Sequence, residues 1–192
     1  MTQALLLRIL GYLWAAFGAY WVAAGIRGAA SQTREHSLYR FGRLSILAIT
    51  FSLLFWSRTS VGILGRRVLA ASLLIGYTGF CVVFVGIVVA IWARVHLGQY
   101  WSDKVVLKVD HQLVRSGPYA YMRHPIYSGV LLGVLGTALV LGEVRGALAF
   151  VLLLANYAIK ARREDRMLAE HFPEEFREHS RRAGFLLPQF HL

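Results

Sequence analysis

The chain has a single cysteine, Cys81, which lies inside an apolar run. It has no partner for an internal disulfide or a metal site, and a small buried hydrophobe is its plain reading. The histidines are scattered and no zinc-ligand spacing occurs, so no metal is expected. No glycine-rich loop follows a strand pattern, which excludes a soluble Rossmann-type nucleotide site. Internal repeats and low-complexity tracts are missing too. Charge is scarce: 16% of residues are charged, against about 25% in an average soluble domain.

What the chain has in quantity is apolar sequence, 57% of its residues. Several runs approach or exceed the roughly 20 residues that cross a bilayer. The expected fold is an all-α integral membrane protein, a single domain over residues 1–192 with about five transmembrane helices. Helix one runs from about Ala4 to Ile26, longer than the apolar region of a signal peptide. A polar connection, Arg27 to Arg43, follows. For helix two, Leu44 to Trp56 is too short to span alone. Extension to about Gly65 gives a span but places Arg58 inside it, which is costly unless the side chain snorkels or faces protein. Helix three covers about Val68 to Ala93 and carries Gly76, Gly79 and Gly86. Residues 1–93 thus hold three helices.

Residues 94–192 form the chemically richer half. After the polar connection Arg94 to His124, helix four opens at Pro125, a residue suited to a first helical position, and continues to Gly142. Gly129, Gly133 and Gly136 give it a stripe of small residues. Such stripes signal close helix packing, within the chain or in a dimer, so the oligomeric state stays open. Glu143-Val-Arg145 interrupts the apolar run, and Gly146 to Ile159 follows as helix five, making the last two helices a tight hairpin. From Lys160 an amphipathic helical tail begins, split by Pro173.

The net charge of +11 could suggest nucleic acid, but its distribution argues for a membrane. The connections after helices one and three and the tail hold 16 of the 21 basic residues. With the N-terminus outside, all three regions face the cytoplasm, as the positive-inside rule requires. Topology accounts for the charge, the bilayer is the expected partner, and nucleic acid is not. Both polar segments then lie on the cytoplasmic side and can build one site.

Within Leu113-Val-Arg-Ser-Gly-Pro-Tyr-Ala-Tyr-Met-Arg-His-Pro-Ile-Tyr-Ser-Gly129, Ser116 to Tyr119 is a turn signature. His124 precedes Pro125 and is held extended. Arg123 and His124 therefore stand at the N-terminus of helix four, where free amides favour an anion. Read on their own, they serve equally as interfacial anchors, with Tyr119, Tyr121 and Tyr127 as an aromatic belt. In the tail, Lys160, Glu164, Leu168 and Phe172 recur at spacing four and share one helix face. Lys160 and Glu164 form either a surface pair or part of a site facing the membrane domain. Asn156 and Tyr157 could line a cavity or bond between helices. Trp101-Ser102-Asp103 fits a site lip or an interfacial anchor.

The order of residues in His111-Gln-Leu-Val-Arg-Ser-Gly-Pro-Tyr-Ala-Tyr-Met-Arg-His-Pro-Ile-Tyr-Ser-Gly129 resembles the isoprenylcysteine carboxyl methyltransferase and phospholipid methyltransferase superfamily. Arg163-Glu-Asp-x-x-Leu168, then His-Phe-Pro-Glu-Glu-Phe176 and Pro188, resemble its acidic C-terminal motif. The likeness covers roughly residues 94–190. It implies a membrane-embedded methyltransferase using S-adenosyl-L-methionine. His111, Gln112, Leu113, Val114, Tyr119, His124, Pro125, Ile126, Tyr127 and Glu164 would then bind the cofactor. His124, Tyr127 and Glu164 would be the catalytic candidates. Lys160 falls where isoprenylcysteine enzymes carry an arginine near the substrate carboxylate. The implied acceptor is an isoprenylcysteine-like carboxylate, that is, a membrane lipid or prenylated small molecule. The alternatives are a phospholipid amine, an NADPH-dependent membrane reductase of related architecture, or a non-catalytic membrane protein. The departures are Lys160 for that arginine, Asp165 for the second glutamate of the usual pair, and Pro173 and Phe176 for a glycine and a tyrosine. Lysine lacks the planar fork that grips a carboxylate bidentately, so the departures bear on the acceptor more than on the cofactor.

Overall fold

The computed structural model describes residues 3–25, 37–101 and 113–190, and most of them lie in six α-helices. These are α1 (Gln3–Gly25), α2 (Ser37–Phe55), α3 (Leu73–Leu97), α4 (Pro125–Leu141), α5 (Val144–His171) and α6 (Pro173–Arg182). There is no β-strand among the described residues; two isolated bridges, Arg67 to Glu143 and Met122 to Gly184, tie loops together. Helices α1, α2, α3 and α5 are long and apolar enough to cross a membrane, while α4 is shorter at 17 residues.

The centre of the bundle is the antiparallel pair α3 and α4. Glycines let the two backbones touch: a Cβ at Gly86 would sit 2.5 Å from Gly129 O, and one at Gly79 would sit 2.6 Å from Gly136 O. The small-residue stripes therefore serve a contact within the chain. Around this pair pack Leu6, Leu10 and Trp14 of α1, Leu53 and Leu54 of α2, and Ala149 and Leu153 of α5. The Trp14 indole donates to Thr137 Oγ1 (3.0 Å), which donates to Gly133 O (2.9 Å), so no polar atom in that triad is stranded in apolar surroundings.

Three helices differ from the sequence expectation. Helix α2 begins at Ser37 and ends at Phe55. Its first turns absorb Arg40 and Arg43 from the expected polar connection, and the Arg43 guanidinium lies over the Tyr39 ring at 5.3 Å. Arg58 falls in the exposed turn Ser57–Thr59, outside the helix, so the cost of an intramembrane arginine does not arise. Helix α5 is one uninterrupted element from Val144 to His171, where a helix ending at Ile159 and a separate tail were expected. Polarity changes at Lys160, but no glycine or proline follows until Pro173, and a change of polarity does not stop a helix. Helix α3 is also shifted, starting at Leu73 under a Ser72 cap that accepts from Leu74 N (3.2 Å).

The expected α4–α5 hairpin is present. Its turn places Gly142 in the left-handed region (φ +67°). Behind the turn, buried Arg145 donates to Glu143 (2.7 Å), to Leu53 O (2.9 Å) and to Trp56 O (3.1 Å). It thereby binds carbonyls at and just beyond the end of α2. The opposite end of the bundle, where α3 finishes and α4 starts, holds the polar cluster described next.

Candidate active site

Proline at the first position of α4 fixes where that helix begins, and His124 stands immediately before it. Tyr127, one turn on, stacks with the His124 ring at 5.5 Å between centroids and with Tyr157 of α5 at 4.8 Å. The continuity of α5 carries Lys160, Glu164 and Asp165 up to the same level. Glu164 receives the Tyr127 hydroxyl, with oxygen separations of 2.7 and 2.8 Å, and lies 3.8 Å from Lys160 Nζ. His124 donates Nε2–H to Asp165 Oδ1 (2.8 Å), and its Nδ1 is 3.6 Å from Glu164 Oε2. Arg123 donates to Asp165 Oδ2 (3.1 Å). The result is a connected polar chain, Lys160, Glu164, His124, Asp165, Arg123, drawn from α4's start and α5.

Arg123 also ties the tail down. It donates to Ala183 O (2.7 Å) and Ser180 O (3.3 Å) at the end of α6, where unpaired carbonyls favour a cation. Beyond α6 the chain returns over the site: Gly184 O accepts from Arg123 N (2.8 Å), and Phe185 meets the His124 ring edge-on.

Beside this network lies a cleft with roughly 850 Å³ of empty space, its open mouth included. Polar groups of the network line one part of it. Leu97, Tyr100 and Trp101 from the end of α3, Leu113, Val114 and Tyr119 from the following segment, and Met167, Leu168, Phe176 and His179 from α5 and α6 line the rest. Tyr119 donates to Ala93 O (3.4 Å). Burial, with Glu164 nearby, pushes its hydroxyl pKa up, so it stays a neutral donor. Arg94 is buried behind Trp101, its guanidinium 4.3 Å from that ring and bonded to Ala24 O (2.9 Å) and Gly98 O (3.0 Å).

Burial by itself lowers the His124 pKa, but the bonds to Asp165 and Glu164 outweigh it and the net shift is upward. A raised folded-state pKa contributes stability that is complete below the unfolded value of about 6.5 and lost as pH rises through the folded pKa. The melting temperature in detergent should therefore fall as pH is raised from about 6 to about 9. Asp165→Asn should flatten that profile; an unchanged profile in the variant would remove the His124–Asp165 pair as its cause. His179 moves the other way, down to about 4, because of burial and then the neighbouring Arg123 and Arg115.

The structure brings together most of the residues singled out from sequence. Leu113, Val114, Tyr119, His124, Ile126, Tyr127 and Glu164 all line the cleft. Lys160 is buried at its edge, against Glu164 and over the Tyr127 ring at 5.2 Å. Pro125 is buried as the first residue of α4 and does not line the cleft. His111 and Gln112 lie outside the described residues, as do Ser102 and Asp103. Asn156 bonds Arg43 O (3.4 Å), joining α5 to α2, and does not line the cleft. Sequence reasoning missed Leu97, Tyr100 and His179. The spacing of Phe176 and His179, three apart on one face of α6, was the available signal for the last.

Helices of membrane-spanning length, closed at one end around a polar cleft, define an integral membrane protein with a buried site at the end of its bundle. Residues 77–170 match the model of the isoprenylcysteine carboxyl methyltransferase family. The chain is 38% identical over 102 residues to the cobalt-zinc-cadmium resistance protein CzcN of Cupriavidus metallidurans, covering 50% of this chain and 45% of that protein. It is 33% identical over 99 residues to a protein-S-isoprenylcysteine O-methyltransferase of Schizosaccharomyces pombe, covering 50% of this chain and 42% of that one. The fold is similar to that of the eukaryotic intramembrane Ras methyltransferase ICMT, with a TM-score of 0.51 and 23% identity over 82% of this chain and 54% of that chain. The chain spans about half the length of these curated relatives. Sequence and fold thus both liken the chain to the isoprenylcysteine carboxyl methyltransferase family.

Proposed function

We propose that the protein transfers a methyl group from S-adenosylmethionine to a membrane-embedded acceptor, namely the carboxylate of an isoprenylcysteine-like lipid. The observation that carries this reading is the cleft itself. It combines aromatic faces (Trp101, Tyr119, Tyr127) with a carboxylate, Glu164, and with cations, at the end of a membrane bundle. Those groups suit the parts of the cofactor: aromatic faces and a carboxylate for sulfonium and ammonium, Arg123 for a carboxylate, apolar walls for a base. The cleft's size also lies in the range of small-molecule sites.

When bound, S-adenosylmethionine supplies an electrophilic methyl on a cationic sulfur. The chain's own residues then have three tasks. Tyr127, anchored on both oxygens of Glu164, fixes the orientation of that carboxylate. The apolar wall excludes water and strengthens each charge interaction within. Lys160, buried beside Glu164, would meet an acceptor carboxylate as a point charge without bidentate grip. Alignment for in-line transfer then supplies most of the acceleration.

A carboxylate acceptor is favoured over a lipid amine by the state of His124. An amine must lose a proton, yet both ring nitrogens of His124 face carboxylates, which raises its pKa and makes it a poorer proton acceptor. The charge bias of the connections and tail supports a cytoplasmic position for the site.

The test is transfer of labelled methyl by purified protein in lipid, with a prenylated cysteine and phosphatidylethanolamine offered in parallel. Label is expected on the prenylcysteine. Label on the phospholipid would overturn the acceptor assignment. No cofactor binding would overturn the function and return the reductase and the non-catalytic readings.

A further inference from the structure

The polar end of α5 has two sides. Lys160 and Glu164 turn to the cleft, and Asp165 turns to the start of α4. Arg162, Arg163 and Arg166 stand on the other side, and all three are exposed. At 3.6 residues per turn they share an arc of roughly 100°, centred opposite Glu164. The two carboxylates next to them in sequence are committed elsewhere, Glu164 to Tyr127 and Asp165 to His124 and Arg123. The ion pairs of α5 and α6 among the described residues use Lys160, Arg177 and Arg182, not these three arginines.

Helix α2 begins at the same level. Arg163 lies over the Tyr39 ring at 3.8 Å, and Arg43 lies at 5.3 Å from the same ring, so the ring is held between α2 and α5. Beside it Leu38 and Phe41 are 73% and 70% exposed. Exposed apolar side chains next to exposed arginines, at one end of a bundle of membrane-spanning length, belong where acyl chains meet headgroups. That pairing selects among anions. A nucleic acid or an acidic peptide brings negative charge but no cover for Leu38 and Phe41. An anionic phospholipid brings both. Arg163 is the best placed of the three: a guanidinium lying over a ring keeps its in-plane N–H donors, and that fork fits a phosphate.

We propose that Arg162, Arg163 and Arg166, with the start of α2, form a site for the headgroup of an anionic phospholipid. The phosphate meets the guanidinium groups, and the acyl chains run along the exposed apolar face of α2. The site lies on the side of α5 away from the cleft, so the assignment does not depend on what the cleft binds.

The experiment is native mass spectrometry of the full chain released from detergent, with phosphatidylglycerol or phosphatidylcholine of the same acyl chains added. The wild type should retain phosphatidylglycerol in preference, by roughly fivefold or more, and each lost arginine should reduce that preference by about fivefold, the scale of one basic residue at an anionic surface. Arg163→Gln tests the stacked guanidinium. Arg166→Gln leaves the Tyr39 contact intact and keeps the test separate from the packing of α2 on α5. Arg58→Gln makes the same change of charge at the opposite end of the bundle and should have no effect. Equal retention of the two lipids by the wild type would overturn the site. So would an equal loss in Arg58→Gln, which would show a response to total charge alone. Release of the lipid by an equal concentration of glycerol 3-phosphate would also overturn it, in favour of a soluble phosphate ester.

Discussion

Glu164→Gln should lower the affinity for S-adenosylmethionine by roughly a hundredfold or more while the protein stays folded. The side chain accepts the Tyr127 hydroxyl on both oxygens and is the counter-ion within reach of Lys160 and His124. The amide keeps the volume and one acceptor, so the local packing survives, but the charge is gone. Removing one partner from a buried charged pair costs about 2–5 kcal/mol, because the remaining charges are left without compensation. In the complex that loss falls on the cationic cofactor that the carboxylate is proposed to face. None of Glu164's contacts reaches the packed centre formed by Leu6, Val83, Val134 and Leu153, so the melting temperature should change far less than the affinity. Calorimetry and thermal unfolding on the same sample check both halves. Wild-type affinity in Glu164→Gln would remove the carboxylate from the cofactor site.

Asp165→Asn is the informative contrast. Asp165 bonds Arg123 and His124 and so acts at one remove, on the charge of the imidazole and the docking of the tail. Glu164 and Asp165 are adjacent in sequence, and a helix turns adjacent residues about 100° apart. One can therefore address the cleft while the other faces the start of α4.

That division was not legible in the sequence, whereas much around it was. Pro125 announced the start of α4, and the glycines of α3 and α4 announced a close contact. The short polar break at Glu143 announced the hairpin. The spacing of Lys160 and Glu164 placed both on one face, and that face does turn to the membrane domain. What failed has physical causes. The charge of Arg40 and Arg43 points to a connection, yet both lie in α2, and Arg43 rests over the Tyr39 ring. The change of polarity at Lys160 suggests an end to helix five, although nothing there breaks a helix. The contribution of Leu97 and Tyr100 follows from α3 running antiparallel to α4, which brings the end of one beside the start of the other. No local pattern encodes that. Nor does the sequence reveal that Arg123 turns back to the α6 carbonyls, since a basic residue at a membrane edge serves equally as an anchor.

The antiparallel pair also predicts the largest effect on stability, at Gly86. A Cβ there would lie 2.5 Å from Gly129 O and 2.6 Å from Gly133 N, both backbone atoms that cannot rotate away. Gly86→Ala therefore forces α3 and α4 apart, and overpacking of this kind costs about 1–3 kcal/mol, or more where backbone is struck. Gly86→Val should exceed that and fail to fold. Helices that separate lose contact along their length, so Val83 and Ala90, both fully buried, lose packing as well. The site follows, because His124 and Tyr127 ride on α4 while Leu97 and Tyr100 close the cleft from the end of α3. Gly86→Ala should thus lower the melting temperature by several degrees and weaken cofactor binding together, although no atom of Gly86 lines the cleft. Gly18 and Gly42 provide the control, since an added Cβ at either meets nothing within 4 Å. Alanine there should leave melting unchanged or raise it slightly, since alanine is the better helix former. If Gly86→Ala melts like Gly18→Ala, the two helices do not touch at this glycine.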